Sequence, residues 1–200
     1  MGTLKLNTTS GGSLSIQAAD GASDNTLTLP AVTGGNIVTT ADSGTITQGM
    51  IGSGVVGKGP AFAGYSSNYQ VISTGTFTKL QIDAEDFDTN SNYDHSTNYR
   101  FTPTVAGYYY FTGRVEVTTN PSATDQLLVL YKNGSSYAYI GQRTGNDVTR
   151  GIHGSILINA NGSTDYFELY YYQATGGNLT IDIGTTPRRC QFSAFLVRAA

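Results

Sequence analysis

The chain has 200 residues, of which 38% are hydrophobic and 12% charged, with a formal net charge of −3. That length suits one domain of ordinary size with an appendage and excludes two full domains. The mild acidity excludes the basic footprint that nucleic-acid binding requires, and no stretch approaches the ~20 apolar residues of a membrane-spanning helix.

Fourteen Tyr and eight Phe, with no Trp, accompany abundant Gly, Ser, Thr and Asn. Aromatic and β-branched residues fit a pleated, half-buried surface, and Gly and Asn supply turns. A folded all-β protein is expected. The lone Cys190 can form no internal disulfide. Met1 to Leu6 lacks the apolar run of a secretion signal, and Leu6 stands where myristoylation wants Ser or Thr. The chain is therefore expected to be made and folded in a reducing cytoplasm.

Residues 1–57 contain no aromatic residue and repeat short alternations: Leu4-Lys5-Leu6, Leu14-Ser15-Ile16, Leu27-Thr28-Leu29 and Ile37-Val38. Alternation with turn residues between predicts strands of three to five residues, too short and too poor in large apolar side chains to enclose a core in one copy. The segment reads as a fibrous anchor, ending in a Gly-rich joint between Gly49 and Pro60. Residues 58–200 form the second predicted domain.

Strong strands are predicted there at Ala61–Tyr65, Phe77–Ile82, Gly107–Val117, Gln126–Tyr131, Ile152–Ile158, Tyr166–Tyr172 and Phe192–Val197. Turn signals at Asn133-Gly134, Asn161-Gly162 and Gly176-Gly177 separate some of them. Regular strands without helical periodicity indicate a sandwich or jelly roll. In Gly107–Val117, Tyr109, Phe111, Gly113, Val115 and Val117 share one face, and Tyr108, Tyr110, Thr112, Arg114 and Glu116 the other. Phe167, Leu169 and Tyr171 likewise oppose Tyr166, Glu168, Tyr170 and Tyr172. The charged members mark the outer faces. Tyrosine combines large buried area with a hydrogen-bonding tip, so Tyr108, Tyr110, Tyr166, Tyr170 and Tyr172 are candidates for a subunit interface. Packing against neighbouring strands of the same chain is the alternative.

Tyr93-Asp94-His95-Ser96-Thr97-Asn98-Tyr99-Arg100-Phe101, then Gly107-Tyr108-Tyr109-Tyr110-Phe111 and Val115, resembles the signature of C1q-like domains. In these a Phe precedes by six residues a Gly that opens an alternating strand. Lys132-Asn133-Gly134 is similar to that family's hairpin turn, Asp165-Tyr166-Phe167-Glu168-Leu169 to its D-x-V-x-L strand, and Phe192-Ser193-Ala194-Phe195-Leu196 to its closing strand, with Ala194 in place of Gly. Ala106 departs from the Pro expected before Gly107. The resemblance covers residues 60 to 198 and implies a C1q-like jelly roll that assembles as a homotrimer on a stalk. The leader has no collagen repeat. With Thr26 to Pro30 (T-L-T-L-P), it resembles the leaders of bacteriophage fibre and virion structural proteins.

Chemistry is sparse. His95 and His153 stand apart from any nucleophile motif, so no catalytic residue is expected. Cys190 follows Arg188 and Arg189 and reads as a bystander at a strand start. Asp83, Glu85, Asp86 and Asp88, with Asp94 after them, are a weak calcium candidate; a solvated acidic turn is the ordinary reading. No cofactor is expected. The glycosylation patterns at Asn7, Asn133, Asn161 and Asn178 read as chance. Tyr69, Tyr137 and Tyr139 are candidates for contact with a host surface glycan or protein. The expected role is a non-enzymatic virion component (capsid decoration, head fibre or short tail fibre), assembled in the bacterial host cytoplasm and joined to other virion proteins through residues 1–57. An adhesin is the alternative.

Overall fold

The structure is a computed structural model that describes residues 3–7, 13–17, 59–119, 125–144, 150–184 and 186–200. The chain divides into two compact units, Met1–Gly54 and Val55–Ala200. In the first, β1 (Thr3–Asn7) pairs antiparallel with β2 (Ser13–Gln17), setting Leu4 opposite Ile16 and Leu6 opposite Leu14. The register therefore follows the first two alternations of the sequence. The other two, the predicted domain boundary at residue 57 and most of the Gly-rich joint lie outside the described residues.

In the second unit no helix occurs among the described residues. One sheet of five strands runs in the order β12 (Gly151–Ala160), β9 (Gly107–Glu116), β15 (Gln191–Ala199), β3 (Ala61–Tyr65), β6 (Ala84–Asp88). The facing sheet of six strands runs β11 (Ser135–Arg143), β10 (Gln126–Lys132), β13 (Phe167–Gln173), β8 (Arg100–Phe101), β7 (Tyr93–Asp94), with β5 (Thr78–Lys79) also paired to β13. The two-residue strands β4 (Val71–Ile72) and β14 (Leu179–Thr180) pair at one end. The expected strand at Phe77–Ile82 is reduced to β5, although Leu80 still donates its amide to the Leu169 carbonyl at 2.9 Å.

Besides the two-residue strands β4, β7, β8 and β14, two longer strands went unread in the sequence. The acidic stretch expected as a solvated turn is β6, an edge strand on β3, with Phe87 half-exposed on it. Charged residues on an edge strand discourage further pairing, so this composition has a structural reason. The polar run Ser135–Arg143 is β11, paired with β10 through two register shifts.

The core is aromatic. Phe101, Phe111, Phe167 and Phe192, all positions that carry the C1q-like resemblance, are fully buried with Phe62 and Tyr109. Phe111 on one sheet meets Phe167 on the other with ring centroids 4.5 Å apart. Each such ring contributes about 1.5–3 kcal/mol by leaving water. The sheets close at the β11/β12 edge, where Gly154 lies so near β11 that an added β-carbon would overlap the Ile140 carbonyl oxygen. The turn at Asn133 (φ 54°) and Gly134 (φ 76°) needs two left-handed residues, as an Asn-Gly hairpin supplies. Its Asn133 side chain donates to Asp165 at 2.9 Å and accepts the Tyr166 amide at 2.9 Å. Lys132 pairs with the same carboxylate at 2.9 Å. Two of the resembling motifs are thus one interlocked corner.

Strand β9 alternates as expected, with Tyr109, Phe111, Gly113 and Val115 inside. On β13 Glu168 lies on the outward face as expected, yet it is only 5% exposed. It points away from the core yet is covered, paired with Lys79 at 2.8 Å, while Lys79 also donates to the Asn98 carbonyl at 3.1 Å. A carboxylate can leave water when a cation and hydrogen bonds replace its hydration.

Candidate functional site

The two outward sheet faces carry the tyrosines, and they differ. On the five-stranded sheet, register sets Leu157 (β12) beside Tyr110 (β9), Tyr110 beside Phe195 (β15), and Phe195 beside Ala61 (β3). Paired residues of an antiparallel sheet share a face, so these form one row across four strands. Tyr108 stands in the next row, and Val197 at a register shift of β15. Tyr108, Tyr110, Leu157, Phe195 and Val197 are 37–55% exposed. The Tyr110 ring lies 5.6 Å from that of Phe195, and its hydroxyl donates to Ser155 Oγ at 2.7 Å. At the β6 edge, exposed Phe87 pairs with Ala63 and so faces the same way. Exposed apolar side chains set side by side in this way are uncommon on the surface of a monomeric protein.

Towards its other end the same face turns polar. Thr112, Arg114, His153 and Gln191 line a shallow groove of about 500 Å³. Arg114 pairs with Glu116, which also meets Arg189 at 3.5 Å, and Arg189 meets Asp182 at 2.9 Å.

On the six-stranded sheet the tyrosines pack on one another. Tyr131 and Tyr170 stack with centroids 3.8 Å apart, and Phe77 lies 4.8 Å from Tyr172. Burial, then the neighbouring Glu168, pushes the Tyr170 phenol up to about 12. Val129, between Tyr139 and Tyr170 in register, is fully buried although it lies outside the core cluster. Tyr166 lies under the Arg100 guanidinium, 4.6 Å from its ring centre. The five tyrosines singled out as interface candidates therefore divide. Tyr108 and Tyr110 present exposed rings, whereas Tyr166, Tyr170 and Tyr172 have partners within the chain. The sequence could not separate them, because alternation gives a face and not what covers it.

The other candidates are scattered. Tyr69 and Tyr139 are exposed, Tyr69 before β4 and Tyr139 on β11. Tyr137, also exposed, has the Lys132 ammonium 5.9 Å from its ring centre. The acidic residues do not converge. Asp83 accepts hydrogen bonds from Ser67 and Asn68, and Asp88 from the Asn90 and Tyr93 amides. Asp86 pairs with Arg188, and Glu85 lies 3.5 Å from His95. The Thr97 amide, joined by the Asn98 side chain and the Ser96 and Asn98 amides, holds the Asp94 carboxyl well below its usual range against the cost of burial. Among the described residues, no group of three or more His, Cys, Asp or Glu could hold a metal. His153 is exposed on β12, and Cys190 is fully buried, with burial raising its thiol to about 12. A thiol held protonated in this way is a poor nucleophile.

No protein-family model matches the chain, and no curated protein matches it. Solved structures do. The globular domain of zebrafish complement 1qA protein aligns at 16% identity and TM-score 0.50, over 70% of this chain and 99% of that one. Murine APRIL at pH 5.0 aligns at 8% identity and TM-score 0.53, over 70% and 99%. Eiger TNF from S. frugiperda aligns at 9% identity and TM-score 0.51, over 70% and 92%. At these identities the likeness shows the fold alone: a C1q/TNF-type jelly roll.

Proposed function

We propose that this chain is a non-enzymatic structural protein of a bacteriophage virion, a homotrimer whose jelly-roll head is displayed outward on the anchor formed by residues 1–57. The observation that carries the assembly is the row Leu157–Tyr110–Phe195 with Tyr108, Val197 and Phe87 around it: large apolar side chains set side by side by strand register and left in water in the single chain. A second and third copy cover that face. Three-fold assembly places unlike surfaces against each other, which suits a face on one sheet and an edge strand, β6, that carries its own exposed aromatic. The implied trimer of the C1q-like resemblance supports the same number. Tyr166, Tyr170 and Tyr172 lie outside the interface.

The virion assignment rests on the N-terminal segment. Its aromatic-free alternations resemble phage fibre leaders, and they need partners to bury any surface. Among the described residues, no group brought together by the fold suggests catalysis, and no cofactor is assigned. Immunogold labelling of purified particles with antibody against residues 58–200 tests the role. Label on the particle surface is the expected result, and unlabelled particles alongside labelled soluble protein would overturn it.

A further inference from the structure

We infer that the outward face of the six-stranded sheet binds a neutral glycan on a platform formed by Tyr131, Tyr139, Tyr170, Tyr172 and Phe77 over Val129. This goes beyond the structural role and stands on a different face from the proposed subunit contact.

The platform is built by register. Val129 lies between Tyr139 on β11 and Tyr170 on β13, and the three side chains share the outward side of the sheet. Stacking of Tyr131 on Tyr170 and contact of Phe77 with Tyr172 extend the rings along the strands, and Val129 is sealed beneath them. Rings that pack on one another lose little rotamer freedom when a ligand arrives, so the surface is rigid before binding. Phenol rings offer a flat apolar face with a hydroxyl at the rim, which matches a pyranose ring: apolar C–H on its faces and hydroxyls at its edge.

Charge selects among ligands that stack on aromatic rings. Single-stranded nucleic acid needs a basic groove beside the rings. Here the bordering Lys79 is already paired with Glu168 at 2.8 Å, and the nearby Lys132 with Asp165 at 2.9 Å. With both lysines paired and Arg100 lying over the Tyr166 ring, the surface is complementary to an uncharged polyhydroxyl ligand and not to an acidic polysaccharide. A second copy of the chain is the poorer occupant. The rings here are largely satisfied by each other, whereas the opposite sheet keeps its aromatic and aliphatic side chains uncovered. Tyr139 is the exposed contact, with 59% of its surface in water.

Affinity electrophoresis of the intact chain in native gels containing dextran, mannan or alginate tests the inference. Mobility should fall at least two-fold in a neutral-polysaccharide gel and stay unchanged in alginate. Tyr139→Ala should abolish the retardation, Tyr139→Phe should keep most of it, and Tyr69→Ala, before β4, should keep all of it. Circular dichroism establishes that each variant is folded. Unretarded migration in both neutral gels, retardation by alginate alone, or retardation that survives Tyr139→Ala would overturn the proposal. So would loss of the oligomer in Tyr139→Ala by light scattering, since the platform would then be a subunit contact.

Discussion

The two outward faces of the sandwich use the same residue at the same alternate spacing and put it to different ends. On the six-stranded sheet Tyr170 stacks on Tyr131 and helps seal Val129 from water. On the five-stranded sheet Tyr110 has a tilted ring neighbour in Phe195, 5.6 Å away, and stays 37% exposed, beside a Leu157 more exposed still. The same alternation thus leaves one row stacked over a buried residue and the other half in water, the difference being set by which side chains the neighbouring strands bring alongside.

The comparison can be broken most severely at the edge that joins the two sheets. Gly154→Ala forces a β-carbon into the Ile140 carbonyl. It should cost more than about 3 kcal/mol, because a backbone atom cannot rotate away, and it should remove both faces together. Loss of cooperative urea unfolding would register it; a native-like midpoint would show that the edge is looser than described.

A smaller effect separates the faces. Val129→Ala should destabilise by about 2 kcal/mol, the loss of buried methyl groups plus a cavity. Leu157→Ala should change stability by no more than about 0.5 kcal/mol, since its side chain already meets water. Both are measured by urea denaturation in a Phe195→Asp background, so that assembly makes no contribution. Equal effects would erase the distinction. Double-mutant cycles sharpen it further: Tyr131 with Tyr170 should couple by about 1 kcal/mol and Tyr110 with Phe195 by less than about 0.5 kcal/mol.

Acid should act on the corner that supports the six-stranded side. Partial burial raises the Asp165 carboxyl, but Asn133, Lys132 and the Asn161 amide outweigh it and hold the group below its ordinary value. A depressed folded-state pKa means the stabilisation is fully present above the unfolded value of about 3.9 and is lost as pH falls through the folded value. Asp94 and Asp83, also held low, act in the same direction. Melting temperature should drop as pH falls below about 4, and Asp165→Asn should flatten that dependence. The smallest expected effect is that of EDTA at neutral pH: none on melting temperature, because the acidic side chains of β6 and its flanks go to separate partners.

Much of the sandwich was legible in the sequence because its core residues recur at fixed spacing. Phe101, Phe111, Phe167 and Phe192 were readable as motif positions, and all four are core. Alternation gave the facing of β9. What sequence could not give were features set by long-range partners. Alternation placed Glu168 on the outward face but could not show that Lys79, far away in the chain, pairs with it there. The strands β6 and β11 lack the apolar alternation that betrays a strand, since β6 is a charged edge and β11 is a polar strand interrupted by register shifts. The platform was read only in part. Tyr139 was visible as an exposed aromatic, but Phe77 and Tyr131 join it only through pairing that no local pattern encodes.

Assembly through the five-stranded face is the central claim, and sedimentation equilibrium at micromolar concentration tests it most directly. The native chain should sediment at three times its own mass, and Phe195→Asp, folded by circular dichroism, should sediment as a monomer while Tyr170→Asp stays trimeric if folded. A monomeric native chain, or a trimer indifferent to Phe195→Asp, would contradict it.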